Sequence, residues 1–287
     1  MSQKQRVGGI VVRTLYKIYQ LFGYKFVYYS LHLVVLYYFL FAKNVRKALK
    51  IYYKHLDIKF SNKLYFQHLL HYAIATSDRF ISKSNPELYE FINKERTTLL
   101  KEINNGSILL ANHFGGWATA TNYFKDANTN IHVIMNEAML NSAKNFEDII
   151  KRKHKENINI IDLSKGMIHA YITIANALLA NESVALMGDR TIDAKHNYPI
   201  NFFGEKANFN KNPFLIAYKT KKPIILIFVI YKELLKYEVV FHKIELDYSL
   251  SLEEAINQTM EQYVKYLSDT LVQYPTQWFN FYNFWKK

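Results

Sequence analysis

The chain has 287 residues, half of them apolar and 16% aromatic, which requires a sizeable core and excludes a disordered or low-complexity protein. It contains no cysteine, so thiol catalysis, disulfides and cysteine zinc sites are excluded, while the compartment stays open. A net charge of +13 calls for a polyanionic partner.

The position of the charge narrows that choice. Lys4, Arg6, Arg13, Lys17, Lys25, Lys43, Arg46, Lys47, Lys50 and Lys54 all precede the first acid, Asp57. They flank the uncharged run Phe26–Ala42, FVYYSLHLVVLYYFLFA. A nucleic-acid arm interleaves its charges with Gly, Ser or stacking residues, so nucleic acid is not expected. Charges enclosing an apolar run suit an anionic membrane surface, as do 23 Tyr and 20 Phe. A spanning helix needs roughly 20 apolar residues. This run is shorter and holds His32, Tyr28, Tyr29, Tyr37 and Tyr38, so the expectation is an interfacial or shallowly inserted helix. A full span and a helix buried in the globular domain stay open. No small-residue cleavage site follows the run, so a signal peptide is not expected.

Residues 1–56 thus read as a basic-aromatic membrane-associated segment, and 57–287 as the main domain. Residues 57–105 read as connecting helices with polar breaks near Ser82–Pro86. From Ser107 onward, short apolar runs alternate with amphipathic stretches, the pattern of an α/β domain with a central mixed, mostly parallel sheet flanked by helices. Strands are expected at Ile108–Ala111, Ile131–Met135, Ile158–Leu163, Val184–Met187, Pro199–Phe203, Ile224–Ile230 and Tyr237–Leu246. Helices are expected from Trp117, around Asn141–Lys155, over Met167–Leu179, from Asn212-Pro213 with proline in the first turn, and over Leu252–Tyr274.

The passage richest in chemistry is Ser107–Tyr123, SILLANHFGGWATATNY. A buried strand ends in Asn112-His113, and a glycine pair follows. An imidazole at the carboxyl end of a sheet strand stands where open α/β folds bind ligands. With a pKa near neutrality it can remove a proton from a hydroxyl or amine. Free N–H groups at Gly115 and Gly116 would suit a developing oxyanion. The plain alternative is a histidine that only caps a loop.

These residues resemble the histidine motif of the lysophospholipid acyltransferase superfamily, in particular its lipid A biosynthesis (lauroyl/myristoyl) acyltransferase branch. That branch reads His-Phe-Gly-Asn-Trp-Glu; here stand His113, Phe114, Gly115, Gly116, Trp117 and Ala118. Val184–Arg190 resembles the family's second block, and Asn201-Phe202-Phe203-Gly204 with Pro213, Ala217 and Pro223 its phenylalanine-glycine block. Pro275-Thr276-Gln277-Trp278-Phe279 with Trp285-Lys286 resembles its closing run. The order and spacing of four matches carry the resemblance over roughly residues 107–287.

The resemblance implies an acyltransferase domain in which His113 is general base on an acceptor hydroxyl, attacking an acyl thioester on acyl carrier protein or CoA. It implies a membrane lipid or glycolipid acceptor, a bacterial inner membrane location on the cytoplasmic face, and neither cofactor nor metal. A lipid A precursor, an ornithine-type lipid and a polyene pigment all remain open as acceptor. Ala118 stands where the family has the carboxylate that orients the histidine. Three explanations stay open: Asp189 takes that place (with Asp126 and Glu137 behind it), His113 works alone held by Asn112, or catalysis is lost and the protein binds lipids or partners at the membrane. Phe114 and Trp117 complete the expected substrate-binding set with Asn112, Gly115 and Gly116. Arg190 reads either as a clamp on a phosphate or carboxylate or as an ion-pair partner of Asp189 or Asp193. Phe202, Phe203 and Gly204 read as an acyl-channel wall or as ordinary core.

Ten histidines show no metal-site spacing; the nearest pair, His68 and His71, reads as surface or core. Lys151–Lys155 is either a solvated basic face or a dock for an acidic carrier.

Overall fold

A computed structural model describes residues 9–119, 123–124, 127–135, 157–190 and 194–285. The helix expected around Asn141–Lys155, with its basic run, and Asp126, Glu137 and Asp193 lie outside these residues.

Nine strands are described: β1 (Glu90–Ile92), β2 (Ile108–Ala111), β3 (Ile131–Met135), β4 (Ile158–Asp162), β5 (Ser183–Met187), β6 (Asn197–Phe202), β7 (Glu205–Asn210), β8 (Ile224–Glu233) and β9 (Lys236–Ile244). Seven form one sheet, ordered β1-β9-β8-β2-β5-β3-β4, with only the β8–β9 pair antiparallel. The expectation of a mixed, mostly parallel sheet holds. The helices are α1 (Gly9–Phe41), α2 (Lys43–His55), α3 (Asn62–Ser84), α4 (Arg96–Asn104), α5 (Met167–Leu179), α6 (Asn212–Thr220) and α7 (Leu252–Gln273). Strand β1 was not anticipated, because three residues are too few for alternation to be read.

β2 and β8 are central and covered on both faces, which is why they read as near-continuous aliphatic runs. Register then decides what meets at the sheet's carboxyl edge. Ala111 of β2 pairs with Met187 of β5, so the residues two steps beyond that rung, His113 and Asp189, leave the sheet side by side.

β6 and β7 form a separate hairpin in which Phe202 pairs with Glu205. Its two-residue turn, Phe203-Gly204, has φ of 52° and 81°, both positive as a tight turn matched to strand twist requires.

Helix α1 breaks at Gly23, where φ is 77° and ψ 175°. Beyond the break Tyr24, Val27, Leu31 and Val35 form a buried stripe at helical spacing, and α1 packs along α3. Its other face leaves Phe26, Tyr29, Leu33, Val34, Leu36, Tyr37, Leu40 and Phe41 exposed. Val12–Phe41 is long and apolar enough to cross a membrane by length and composition, and only 22% of its most apolar window is buried. Most of that window is therefore not covered by the rest of the described chain.

The same helix is tied to the sheet by a buried carboxylate. Asp78 of α3 accepts from the hydroxyls of Tyr24 (2.6 Å), Tyr89 (3.1 Å) and Tyr237 of β9. Burial raises the Asp78 carboxyl to about 6 against the pull of the three hydroxyls. A folded value above the unfolded one, about 4, means that the native state favours the proton. Its contribution to stability is then complete below about pH 4 and is lost as pH rises through about 6. Asp78→Asn should therefore change the stability gap to wild type by up to about 3 kcal/mol between pH 4 and 7, measured by urea unfolding. A pH-independent gap would contradict this.

Candidate active site

The turn after β2 is stitched on both sides. The Gly115 N–H donates to Gln277 O (2.8 Å), Phe279 N–H to His113 O (2.8 Å), and Phe114 forms an isolated antiparallel bridge with Trp278. On the other side Gly116 N–H donates to Val229 O of β8 at 2.7 Å. The Gln277 side chain fixes the tail to the same strand, accepting from Tyr231 N–H (2.8 Å) and donating to Tyr231 O (2.9 Å). Crowding explains both glycines. Gly115 has φ of +51°, and a Cβ there would lie 2.0 Å from Val229 O. A Cβ on Gly116 would fall 2.4 Å from the Tyr237 ring.

This corrects the sequence expectation. The amides of Gly115 and Gly116 are taken by Gln277 and Val229, so they are not oxyanion donors. Residues 115–119 form a turn, not the start of a helix at Trp117.

Between turn and tail lies the pair that register brings together. His113 Nδ1 is 2.9 Å from Asp189 Oδ1. Asp189 is 0% exposed, and its Oδ2 accepts from His113 N–H (3.1 Å), Trp278 Nε1–H (3.1 Å) and Asn280 Nδ2–H (3.2 Å). Burial by itself would raise this carboxyl. The His113 imidazole beside it, the hydrogen bonds from His113 and the charge of Arg190 outweigh burial and hold it well below the usual carboxylate range. An ionised carboxylate only accepts, so Nδ1 carries the hydrogen and Nε2 is left as the basic nitrogen. The imidazole side chain is 22% exposed while its partner is sealed, so the ring is reachable from outside and its anchor is not.

The other expected site residues separate into two groups. Trp117 stands by the imidazole, its ring 5.6 Å from His113 and 5.8 Å from Phe279, and is half-buried. The rest serve as framework. Asn112 is buried and accepts from Tyr263 OH at 2.5 Å, so it anchors β2 to α7 and does not hold His113. Phe114 packs on Phe228 inside the core. Arg190 donates from Nε to Asn280 Oδ1 and from one Nη to Phe279 O, both at 2.7 Å, so it straps the tail. Phe202 is 0% exposed and stacks on Trp285, and Phe203 and Gly204 form the hairpin turn, so of the two readings left open this is core and turn.

Gln277, Trp278 and Asn280 carry parts of this site that the sequence did not assign. Pro275–Phe279 was visible as a motif, but nothing in it tells that an indole N–H and an amide end on Asp189. Behind them His68, which burial pushes down to about 3 and so keeps neutral, sits 2.8 Å from Trp278 O through Nε2 and 3.0 Å from Tyr53 OH through Nδ1. It is a core histidine that holds the tail.

The turn predicts its own mutational behaviour. Gly115→Ala should cost roughly 3 kcal/mol or more in urea unfolding. Gly204→Ala, at φ of +81° but with open space around it, should cost only about 1 kcal/mol. Equal costs at the two positions would contradict the crowding at Val229.

A sequence profile described as bacterial lipid A biosynthesis acyltransferase matches residues 68–287, well over half of the chain and including the histidine turn, Asp189 and the tail. No curated protein sequence matches it. The site lies wholly within the matched span, and the chain belongs to the bacterial lipid A biosynthesis acyltransferase family.

Proposed function

We propose that His113, oriented by Asp189, is the general base of an acyl transfer from a carrier thioester to a membrane lipid or glycolipid acceptor. The observation that carries the reading is the 2.9 Å contact between the reachable imidazole and a fully buried, ionised carboxylate. Nε2 takes the proton of an acceptor hydroxyl as its oxygen attacks the thioester carbon. The new C–O bond replaces the C–S bond, and the carrier thiol leaves with the proton. Asp189 keeps the hydrogen on Nδ1 and stabilises the imidazolium, the part an aspartate plays in hydrolase triads. It supplies the orienting carboxylate that Ala118 lacks.

The donor in this reading is acyl carrier protein, with CoA as the simpler substitute. The acceptor is a lipid at the cytoplasmic face of a bacterial inner membrane. Support for the location comes from α1, which exposes large apolar and aromatic side chains from Leu21 to Phe41. Because the opposite stripe of α1 is packed along α3, and α3 carries Asp78, Arg79 and Lys83, the helix lies in the membrane surface instead of passing through it alone.

Acyl transfer to a bacterial lipid extract tests the reading. His113→Ala should lose at least about 10³ in rate, and Asp189→Asn about 10⁴ by the triad precedent. Ala118→Glu should leave the rate within a few-fold, because the orienting place is already filled. Unchanged activity in Asp189→Asn would remove Asp189 from the mechanism. A wild-type protein that binds lipid but transfers nothing would make it a non-catalytic relative.

A further inference from the structure

Helix α2 has two faces of opposite character. Ala48, Leu49, Tyr52 and Tyr53 are buried, and the inner face backs on the tail that closes the site. The Tyr52 ring lies 5.4 Å from that of Trp278, and His55 stacks on Trp285 at 3.7 Å. The outer face carries Lys43, Lys47, Lys50 and Lys54, all exposed, at the i, i+4, i+7, i+11 spacing of one helical stripe. Lys59 and Lys63, also exposed, follow on the connection to α3 and in its first turn.

Among the described residues, none of these six lysines has a carboxylate within ion-pair distance. Lys232, Lys236, Lys243 and Lys265 each meet a glutamate or aspartate, whereas exposed lysines such as Lys101, Lys206 and Lys219 meet none among the described residues; what sets α2 apart is that four such lysines stand in one stripe. A stripe of cations with no acid beside it makes a surface of one sign that an anionic partner complements.

We propose that the outer face of α2 docks the acidic carrier protein that delivers the acyl thioester. This rests on the acyl-transfer reading above and adds where the donor binds. Two observations favour an acidic protein over the anionic membrane. None of the exposed large apolar side chains belongs to α2, whose apolar residues all turn inward, whereas a helix seated in lipid presents its apolar face outward. The second is position. The stripe lies about one helix diameter, roughly 10 Å, from Trp278, whose indole holds Asp189. On this proposal the arm of a carrier seated there reaches towards His113, while α1 meets the membrane on its own apolar face.

The test uses the full chain with Lys43, Lys47, Lys50 and Lys54 changed together to Glu, and separately to Ala. Each is assayed with a carrier-protein thioester and with the same acyl group on CoA. The Glu variant should raise KM for the carrier-borne donor by about tenfold or more, leave transfer from CoA within about twofold, and lose binding of unacylated carrier protein. The Ala variant should fall between. Sedimentation with phosphatidylglycerol vesicles should be unchanged. A carrier KM unaltered by charge reversal overturns the proposal, as does loss of vesicle binding in its place. Should wild type transfer from neither donor, the acyl-transfer reading falls alone: carrier binding that charge reversal abolishes still supports the surface, and absent binding overturns it.

Discussion

A carboxylate sealed from solvent is tolerable only when its lone pairs are filled, and Asp189 fills its own with the imidazole and backbone of His113, the indole of Trp278 and the amide of Asn280. Those four donors come from two places far apart in sequence, the end of β2 and the chain's last turn. Satisfying one anion therefore fixes the relation between the histidine and the tail. Arg190 extends the constraint by holding Asn280 through its oxygen, which leaves the amide nitrogen to face Asp189. Removing any one donor leaves a buried charge short of a partner, so the site behaves as a unit.

The same economy explains the glycine pair. Read as a sequence, a histidine followed by two glycines suggests presented amides. In the structure the glycines let the turn approach β8 and Tyr237 closely enough for both amides to be used internally. Tyr237 then links this turn to Asp78 and, through Tyr24, to α1. The helix with the exposed apolar face and the histidine turn are thus separated by a short, fully packed path.

Most of the sheet was legible because buried parallel strands announce themselves as aliphatic runs: Ile108–Ala111, Ile131–Met135 and Ile224–Ile230 all fall within described strands. Met167–Leu179 coincides with its helix for the complementary reason, a clean apolar period. The pairing of His113 with Asp189 was legible only as one of several options, because it depends on register between β2 and β5, which local pattern does not encode. The roles of Trp278 and Asn280 were not legible at all. An aromatic-rich tail has the same composition whether it packs blindly or directs two N–H groups at a carboxylate. Between the two readings of Phe203-Gly204 the sequence could not choose, because the positive φ values that the hairpin requires are not encoded in its apolar character.

The central claim is that Asp189 fixes which ring nitrogen of His113 carries the hydrogen, and nitrogen NMR of the ¹⁵N-histidine-labelled protein reads this directly, with His113→Gln for assignment. The account predicts that the singly protonated His113 ring carries its hydrogen at Nδ1 and not at Nε2, with that preference lost in Asp189→Asn. A singly protonated ring with its hydrogen at Nε2 in the wild-type protein would contradict it.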